Sequence, residues 1–297
     1  MPSDVTHPAP AMNPRKPAFH VGDFKRIYDP SISQEEKWYI NDHTFIQAED
    51  GLWHLFGITH QEPLAPLDEK FFAHATAPHL MGPWTRQESV LHADWDTWRE
   101  TLVWAPYVFR HDGLYWMYYC GGGKDSAQYR IQLATSKDLW HWERHPANPM
   151  VLDGFDGRDP MVTRIDGEWV LYYTATSTPQ GGHWVVKAVT SPDLVHWSGA
   201  REVLRSPGVG TSGGPTESPQ MVARNGKFYL FVCTNAGYND STAYESDSPF
   251  HWDIADEAGR YPAHASEVIL TPEGKWYVSR CGWGQGGVYL AELTWED

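Results

Sequence analysis

The stretch HTFIQAEDGLWHLFGITH, residues 43–60, contains an apolar strand, a turn at Asp50-Gly51 and a second, aromatic-rich strand. Asp-Gly supplies the positive φ angles that a tight turn needs, so this stretch predicts a β-hairpin. Four further segments repeat the design, with Asp-Gly, Asn-Gly or Glu-Gly at the turn. They are PYVFRHDGLYWMYYCGGG (106–123), PMVTRIDGEWVLYYTATS (160–177), PQMVARNGKFYLFVCTNA (219–236) and SEVILTPEGKWYVSRCGW (266–283).

A second unit follows the hairpins: ATSKDLWHW (134–142), VTSPDLVHW (189–197), ESDSPFHW (245–252) and, more loosely, HATAPHLMGPW (74–84). Each copy indicates a strand, a turn and a closing Trp. Repeats of roughly 50–60 residues with about four strands each are typical of a β-propeller. We therefore predict an all-β, five-bladed β-propeller as a single domain over residues 24–297, after a flexible tail over 1–23. Phe24–Pro30 is expected to pack on or complete the last blade, because ring closure requires the chain ends to meet.

Composition narrows the classes of partner. The formal net charge of −15 argues against nucleic acid and anionic membranes, and no apolar run approaches the length of a membrane span. Sixteen Trp and fifteen Tyr suit packed sheets and sugar-stacking surfaces. The three cysteines lie in or just after apolar runs and have no metal-ligand spacing, which predicts buried thiols. With no secretory signal visible, we expect a cytoplasmic protein.

Counting back eight to ten residues from each turn glycine reaches one position per blade, and these are Asp42, Trp104, Asp159, Glu217 and His264. In a propeller the first strand of each blade lines the central channel, so these positions are expected to form a ring at one mouth. Three crowded carboxylates lose solvation and repel one another, which raises at least one pKa. One protonated and one ionised carboxyl group are what glycoside hydrolysis requires.

At these residues the sequence resembles the five-bladed propeller glycosidases, namely glycoside hydrolase family 43 and its relatives in families 32, 62 and 68. YINDHTFI resembles the first-blade motif of the base or nucleophile, here Asp42. WAPYVFRHDGLYWMYY is similar to the second-blade motif of family 43. GRDPMV resembles the motif whose Asp tunes the acid and holds the substrate, here Asp159, and TESPQMVARNGKFYLF that of the general acid, here Glu217. His264 matches a fifth-blade histidine near a metal or water.

Some residues depart from the family 43 pattern. Asp42-His43 replaces the usual Asp-Pro, and Tyr107 stands where an acidic residue often follows Trp-Ala-Pro. Arg158-Asp159-Pro160 looks more like families 32 and 68, and Asn41-Asp42 also fits them. The resemblance thus implies a glycoside hydrolase whose placement among these families stays open.

Three hypotheses about the function follow. The preferred one is an exo-acting, inverting hydrolase of furanosides or xylosides, similar to arabinofuranosidases and xylosidases, acting on a small oligosaccharide or glycoside. The second is a retaining fructofuranosidase or fructosyl transferase of the family 32/68 type. The third is a propeller that only binds carbohydrate, against which the intact set of Asp42, Asp159 and Glu217 argues, because binding needs no crowded carboxylates.

Five further residues are candidate substrate contacts: Asn41, His43, Trp104, Arg158 and His264. Trp104 is a stacking platform or a packing residue. Arg158 binds a hydroxyl or pairs with Asp159, and pairing would lower the pKa of Asp159. No cofactor is expected to be required. Ca²⁺ at the propeller axis, held by His264 through water, is weighed equally against a histidine without a metal.

Overall fold

The computed structural model describes residues 16–153, 155–234 and 239–296, and 21 strands run through this part of the chain. In chain order they are β1 (Phe19–Val21), β2 (Lys25–Tyr28), β3 (Trp38–Gln47), β4 (Trp53–Gln61), β5 (Phe72–Ala77), β6 (Thr85–Arg86), β7 (Leu102–His111), β8 (Leu114–Gly122), β9 (Arg130–Ser136), β10 (Glu143–Arg144), β11 (Arg158–Ile165), β12 (Glu168–Thr178), β13 (Gly181–Ser191), β14 (Arg201–Gly210), β15 (Glu217–Arg224), β16 (Lys227–Cys233), β17 (Ser241–Ser246), β18 (Glu257–Tyr261), β19 (Val268–Leu270), β20 (Trp276–Arg280) and β21 (Val288–Trp295).

The strands form five antiparallel sheets, which are the blades of a propeller. Blades one to four are the consecutive meanders β3–β6, β7–β10, β11–β14 and β15–β18. The first strands β3, β7, β11 and β15 lie next to one another around the centre. The predicted all-β, five-bladed architecture is confirmed. Within the described residues the one α-helix is Trp95–Trp98, and none of the helices has the length or apolar character that a membrane span requires.

Blade five is completed by the N-terminal part of the chain. Its strands β19, β20 and β21 pair in order, and both β1 and β2 pair with β21. The prediction that Phe24–Pro30 completes the last blade is confirmed by β2. The predicted tail over 1–23 extends too far, because Phe19 within it pairs with Trp295 and is only 3% exposed. Residues 1–15 of that tail lie outside the described residues.

The hairpin turns are of two lengths. In blades two, three and four, two residues separate the last paired positions, as in the pair His111↔Leu114. Asp112 and Gly113 both have positive φ there, as a two-residue hairpin turn requires. In blades one and five a third residue is inserted, because Ala48 bonds to Leu52 and Thr271 to Lys275 across the turn. The turn glycine of those two blades therefore lies one residue further from the first strand.

The first strands of blades one to four carry a bulge near the start. The pairing shifts between Asn41 and His43 in β3, and similarly between Arg158 and Met161 in β11. The bulge residue Asp159 has φ 57°, in the left-handed region. A bulge interrupts the alternation of faces, so two successive side chains such as Arg158 and Asp159 can point to the same side.

Apolar side chains fill the spaces between neighbouring blades. Tyr118 of blade two packs with Leu171 and Tyr173 of blade three, and all three are fully buried. The cysteines Cys120, Cys233 and Cys281 are buried and none is in a disulfide, as predicted. These cores hold the starts of the first strands in fixed positions around one mouth of the propeller.

Candidate active site

A cavity of about 280 Å³ opens where the first strands begin. Strand residues of blades one to four line it, together with residues of the connecting loops, of which His264 and Trp283 flank the strands β19 and β20 of blade five. The lining residues are Asn41, Asp42, Ile58, Pro66, Glu69, Trp104, Tyr129, Asp156, Arg158, Asp159, Ser212, Gly213, Glu217, His264 and Trp283. All five positions of the predicted ring are among them, so the structure brings together what the sequence count placed there.

The five predicted ring positions belong to two neighbouring rows, where a row is the set of equivalent residues at the start of each blade. Pairing across each hairpin aligns Asn41, Trp104, Arg158 and Glu217 as one row, to which His264 belongs through its bond to Cys281. The next row consists of Asp42, Ala105, Asp159, Ser218 and Ala265. The count from the turn glycine is one residue short in blade one, whose turn holds an extra residue, and one residue short in blade three, so it reached Asp42 and Asp159 in place of Asn41 and Arg158. The bulges bring Asp42 and Asp159 of the second row to the cavity beside the first row.

Ser218 connects two of the carboxylates. Its hydroxyl donates to Asp42 Oδ1 at 2.8 Å, and its main-chain N–H donates to Asp159 Oδ2 at 3.0 Å. Ser218 itself has φ 51°, so its bulge places the N–H and the hydroxyl toward different acids. Asp42 of blade one and Asp159 of blade three are thereby held by a single residue of blade four.

Arg158 binds three acidic residues at once. Its Nη1 lies 2.7 Å from Asp159 Oδ2, its Nη2 lies 2.7 Å from Glu217 Oε1, and its Nε lies 3.0 Å from Asp156 Oδ1. All four side chains are almost completely buried. A guanidinium whose three nitrogens each bind an acid is fixed in orientation, and it fixes the positions of the three acids in turn.

Burial and mutual repulsion set the protonation of these acids. Burial raises the pKa of Glu217 to about 7, Arg158 opposes the rise, and the charges of Asp159 and Asp42 add to it. Burial likewise raises the pKa of Asp42, against the Ser218 hydrogen bond and Arg158. Arg158 pairs with Asp159 and lowers its pKa, as predicted, but the desolvation of that carboxyl outweighs the ion pair, so the net pKa is raised.

Glu217 has one oxygen in use and one without a partner. Its Oε1 accepts from Arg158, whereas Oε2 is buried and makes no hydrogen bond within the described residues. A buried carboxyl oxygen without a donor is the position that most easily retains a proton. Glu217 thus combines a raised pKa with an oxygen that is available to whatever fills the cavity.

The predicted substrate contacts are not all at the cavity. Asn41, Trp104, Arg158 and His264 line it. His43 does not. Its Nε2 and Nδ1 lie 2.9 Å from Ser279 Oγ and 3.0 Å from Cys281 Sγ, because the residue after the bulge turns toward blade five. Trp104 lines the cavity and packs edge-on against Tyr129, with ring centroids 5.1 Å apart. Its packing role is thus present, and stacking on a sugar stays a prediction.

His264 lies beside Glu217 and Cys233, with one ligand atom from each within 4.8 Å of the others. Burial lowers the pKa of His264 to about 4, so its ring is neutral at pH 7. One sulfur, one nitrogen and one carboxylate already paired with Arg158 do not fit Ca²⁺, which takes six to eight oxygen ligands. The donor set therefore argues against the predicted possibility of Ca²⁺ held by His264.

Sequence reasoning missed Glu69, Tyr129, Asp156 and Trp283 of the cavity wall, and also Ser218, which binds two acids of that wall. Ser218 follows Glu217 directly, and its role could have been found from the correct hairpin register. Asp156 lies two residues before Arg158 in a loop, and nothing in the sequence marks it. Glu69 belongs to the loop from Gln61 to Lys70, which precedes the third strand of blade one and has no repeat equivalent.

Comparison with known families identifies the group to which the chain belongs. The model of the glycosyl hydrolases family 32 N-terminal domain matches residues 33–246, well over half of the chain. The chain belongs to this family. The resemblance to the five-bladed propeller glycosidases is confirmed. The family 32 match covers blades one to three and most of blade four, including Asp42, Asp159 and Glu217.

Curated relatives of this family 32 chain are distant and have different activities in their names. A 1,2-β-oligomannan phosphorylase of Thermoanaerobacter is 28% identical over 181 residues, which are 58% of this chain and 54% of the relative. A probable arabinan endo-1,5-α-L-arabinosidase C of Aspergillus fumigatus is 28% identical over 204 residues, which are 59% of this chain and 58% of the relative. The chain thus spans little more than half the length of these relatives.

Solved structures share the fold of this family 32 chain. A thermostable family 43 glycoside hydrolase superposes with a TM-score of 0.69 at 17% identity, over 88% of this chain and 91% of the other. A GH43_1 enzyme from Xanthomonas citri complexed with xylose gives a TM-score of 0.66 at 15% identity, over 92% and 90% of the two chains. The propeller is thus common to families 32 and 43.

Proposed function

We propose that the protein is a glycoside hydrolase in which Glu217 is the general acid and Asp42 acts on the opposite face of the sugar. The observation that carries this proposal is the state of Glu217. Arg158 holds its Oε1, its buried Oε2 has no hydrogen-bond partner within the described residues, and its pKa is raised to about 7. A general acid works best when its pKa is near the operating pH.

In the proposed reaction Glu217 Oε2 gives its proton to the glycosidic oxygen. The bond from the anomeric carbon to that oxygen breaks, and its electron pair leaves with the oxygen. Asp42 takes a proton from a water molecule, whose oxygen forms the new bond to the anomeric carbon from the opposite face. Asp159 orients the sugar, and its charge favours the protonated form of Glu217. This order of events inverts the anomeric configuration.

The charge of the cavity favours water over phosphate as the second substrate. Five carboxyl groups line it, those of Asp42, Glu69, Asp156, Asp159 and Glu217. Among the described lining residues Arg158 is the one Lys or Arg side chain, and three of those acids occupy its donors. A phosphate dianion would be repelled there. Hydrolysis is therefore proposed, although one relative is named a phosphorylase.

Furanosides or xylosides are the proposed substrates, cleaved one sugar at a time from a chain end. The arabinosidase name of one relative and the xylose in the Xanthomonas citri structure support these sugars. A cavity of about 280 Å³ is at the small end of ligand sites, which span roughly 300–1,000 Å³. That size suits one terminal sugar, as exo action requires. We propose the cytoplasm as the location, supported by three buried cysteines outside any disulfide.

A retaining fructofuranosidase or fructosyl transferase is the second candidate. It is favoured by the family 32 match and by Arg158-Asp159-Pro160, which resembles the fructosidase motif. In that reaction Asp42 would attack the anomeric carbon directly and water would release the sugar in a second step. The side chains of the cavity can support either course.

The test is a proton NMR time course on arabinofuranoside, galactofuranoside, xyloside and fructoside substrates, with Glu217→Gln as the comparison. We expect hydrolysis of one of the first three, release of the inverted anomer first, and turnover by the variant about 10²- to 10⁴-fold slower. Release of fructose with retained configuration would favour the second candidate. Full turnover by Glu217→Gln would remove Glu217 from the proposed role.

A further inference from the structure

Glu69, in blade one, is a carboxyl group of the cavity that has no part in the proposed reaction. It lies in the loop before β5, is 1% exposed and lines the cavity with Trp104 and Trp283. Its main-chain carbonyl accepts from Val103 N at 3.0 Å, which fixes the loop to the first strand of blade two. This bond therefore fixes the main chain of Glu69 next to Trp104.

Two donors converge on one oxygen of Glu69. The Tyr39 hydroxyl lies 2.8 Å and Trp283 Nε1 lies 3.4 Å from Oε1. The Tyr39 hydroxyl also accepts from Ala65 N at 3.3 Å, so its own proton is directed to Glu69. An indole N–H can only donate. Oε1 is thus an acceptor on both sides, and no hydrogen bond within the described residues takes up Oε2.

Burial raises the pKa of Glu69 to about 8, with the charge of Asp42 adding to the rise and the donors of Tyr39, Trp283 and Trp104 opposing it. At neutral pH the group is then mainly uncharged. Since Oε1 receives two donors, Oε2 is the oxygen on which a proton can be held and donated. The buried Trp104 Nε1 is close enough to this carboxyl group to lower its pKa, but it makes no hydrogen bond of good geometry with a described residue.

We propose that Glu69 binds a hydroxyl of the sugar in the cavity by donating a hydrogen bond from Oε2, and thereby determines which sugar is accepted. A sugar hydroxyl oxygen has two lone pairs, so it can accept from Glu69 and from Trp104 Nε1 together. A sugar that places no hydroxyl there leaves two buried donors unpaired, which disfavours it strongly. The inference rests on the proposed function, because it assumes a sugar in this cavity.

The test measures binding of α-1,5-L-arabinotriose, xylotriose and 1-kestose by titration calorimetry, in a Glu217→Gln background in which turnover is slow on the time scale of the titration. Glu69→Ala removes the donor, whereas Glu69→Gln keeps an acceptor for Tyr39 and a donor for the sugar. Glu267→Gln is the matched control, since Glu267 is also buried with a pKa raised to about 8 but accepts from Thr44 and Phe45 N away from the cavity wall.

We expect Glu69→Ala to weaken binding of the preferred sugar about five- to tenfold, as for one lost hydrogen bond, and to reduce the preference among the three sugars to about twofold. In Glu69→Gln and Glu267→Gln the affinity for the preferred sugar and the preference among the three sugars should stay within about twofold of the background values. The ratio of affinities is insensitive to a general loosening of the fold, so it separates sugar selection from a structural role.

An unchanged preference in Glu69→Ala would overturn the inference. So would an equal loss in Glu69→Gln, or the absence of binding of all three sugars in the background protein. Hydrolysis by the wild type is measured in parallel. Binding that depends on Glu69 without any hydrolysis would support this inference and contradict the proposed reaction, so the two can fail separately.

Discussion

Ser218 donates its hydroxyl proton to Asp42 Oδ1 at 2.8 Å, and this bond joins blade four to blade one across the mouth of the propeller. The same residue donates its main-chain N–H to Asp159. The proposed site is therefore assembled by contacts between blades, and its geometry depends on the closure of the whole ring.

Removal of the Ser218 hydroxyl tests this arrangement. The hydrogen bond lowers the pKa of Asp42, which burial raises. In Ser218→Ala the pKa of Asp42 should rise further, because its charged form loses a donor. We expect the acidic limb of kcat/KM against pH to move to higher pH and activity at neutral pH to fall about tenfold. An acidic limb at the wild-type position would show that Asp42 is not the group that must be ionised.

The alkaline limb reports on the acid. With the pKa of Glu217 raised to about 7, kcat/KM should fall as the pH rises through about 7, since the proton needed by the leaving oxygen is lost. Asp159→Asn removes a negative charge that contributes to this rise, so the limb should shift to lower pH. A pH–rate profile of both proteins measures the shift, and a limb that moves upward in Asp159→Asn contradicts the assigned cause.

Closure of blade five by β1 predicts a large effect of Phe19 on stability. Phe19 is 3% exposed and contacts Phe231, Tyr261 and Trp295. Phe19→Ala should lower the free energy of unfolding by about 3–5 kcal/mol, the usual result for a buried Phe. Ile32, 63% exposed, is the control, and Ile32→Ala should change it by less than about 0.5 kcal/mol. The free energies are measured by urea unfolding. Equal values for Phe19→Ala and Ile32→Ala would indicate that the residues before 24 are a loose tail.

A buried histidine pair predicts loss of stability in acid. His54 Nδ1 lies 2.8 Å from His74 Nε2, and burial lowers the pKa values to about 4 and about 3. The unfolded chain takes up these protons near pH 6.5, whereas the folded protein does so only near those lower values. The melting temperature should therefore fall as the pH is lowered from about 6.5 to about 4. In His74→Phe the fall should be shallower, and parallel curves would remove the pair as its cause.

Much of the fold follows from local sequence because the hairpin turns leave short-range signals. Asp112-Gly113 and its equivalents mark each blade, and all five turn glycines have positive φ. The exact alignment between blades could not be read in the same way. Two- and three-residue turns look alike in sequence, and the extra turn residue of blade one placed Asp42 where Asn41 belongs. In blade three, whose turn has two residues, a count of eight instead of nine placed Asp159 beside Glu217, although Arg158 is the residue that aligns with Glu217.

The site was predictable only where it coincides with the repeat. Asp42, Asp159 and Glu217 stand at repeated positions, so the count found them. Glu69 comes from a loop without a repeat equivalent, and Trp283 ends the fifth repeat segment at a position where no other segment has a Trp. Only the folded ring brings the two together. His43 was misplaced because the bulge at Asp42 reverses which residue faces the cavity. The net effect of burial on the pKa of Asp159 also needed the fold.

The most direct test of the central claim compares leaving groups. The second sugar of a disaccharide needs a proton on its oxygen in order to leave, whereas 2,4-dinitrophenolate does not. Loss of a general acid should therefore affect only the disaccharide. We predict that Glu217→Gln hydrolyses the disaccharide about 10²- to 10⁴-fold more slowly than the wild type and the 2,4-dinitrophenyl glycoside of the same sugar at nearly the wild-type rate. Glu100→Gln, which removes the charge of a buried carboxylate bound to Arg144 outside the cavity, should retain both activities. Equal losses on the two substrates in Glu217→Gln would contradict the assignment of Glu217 as the general acid.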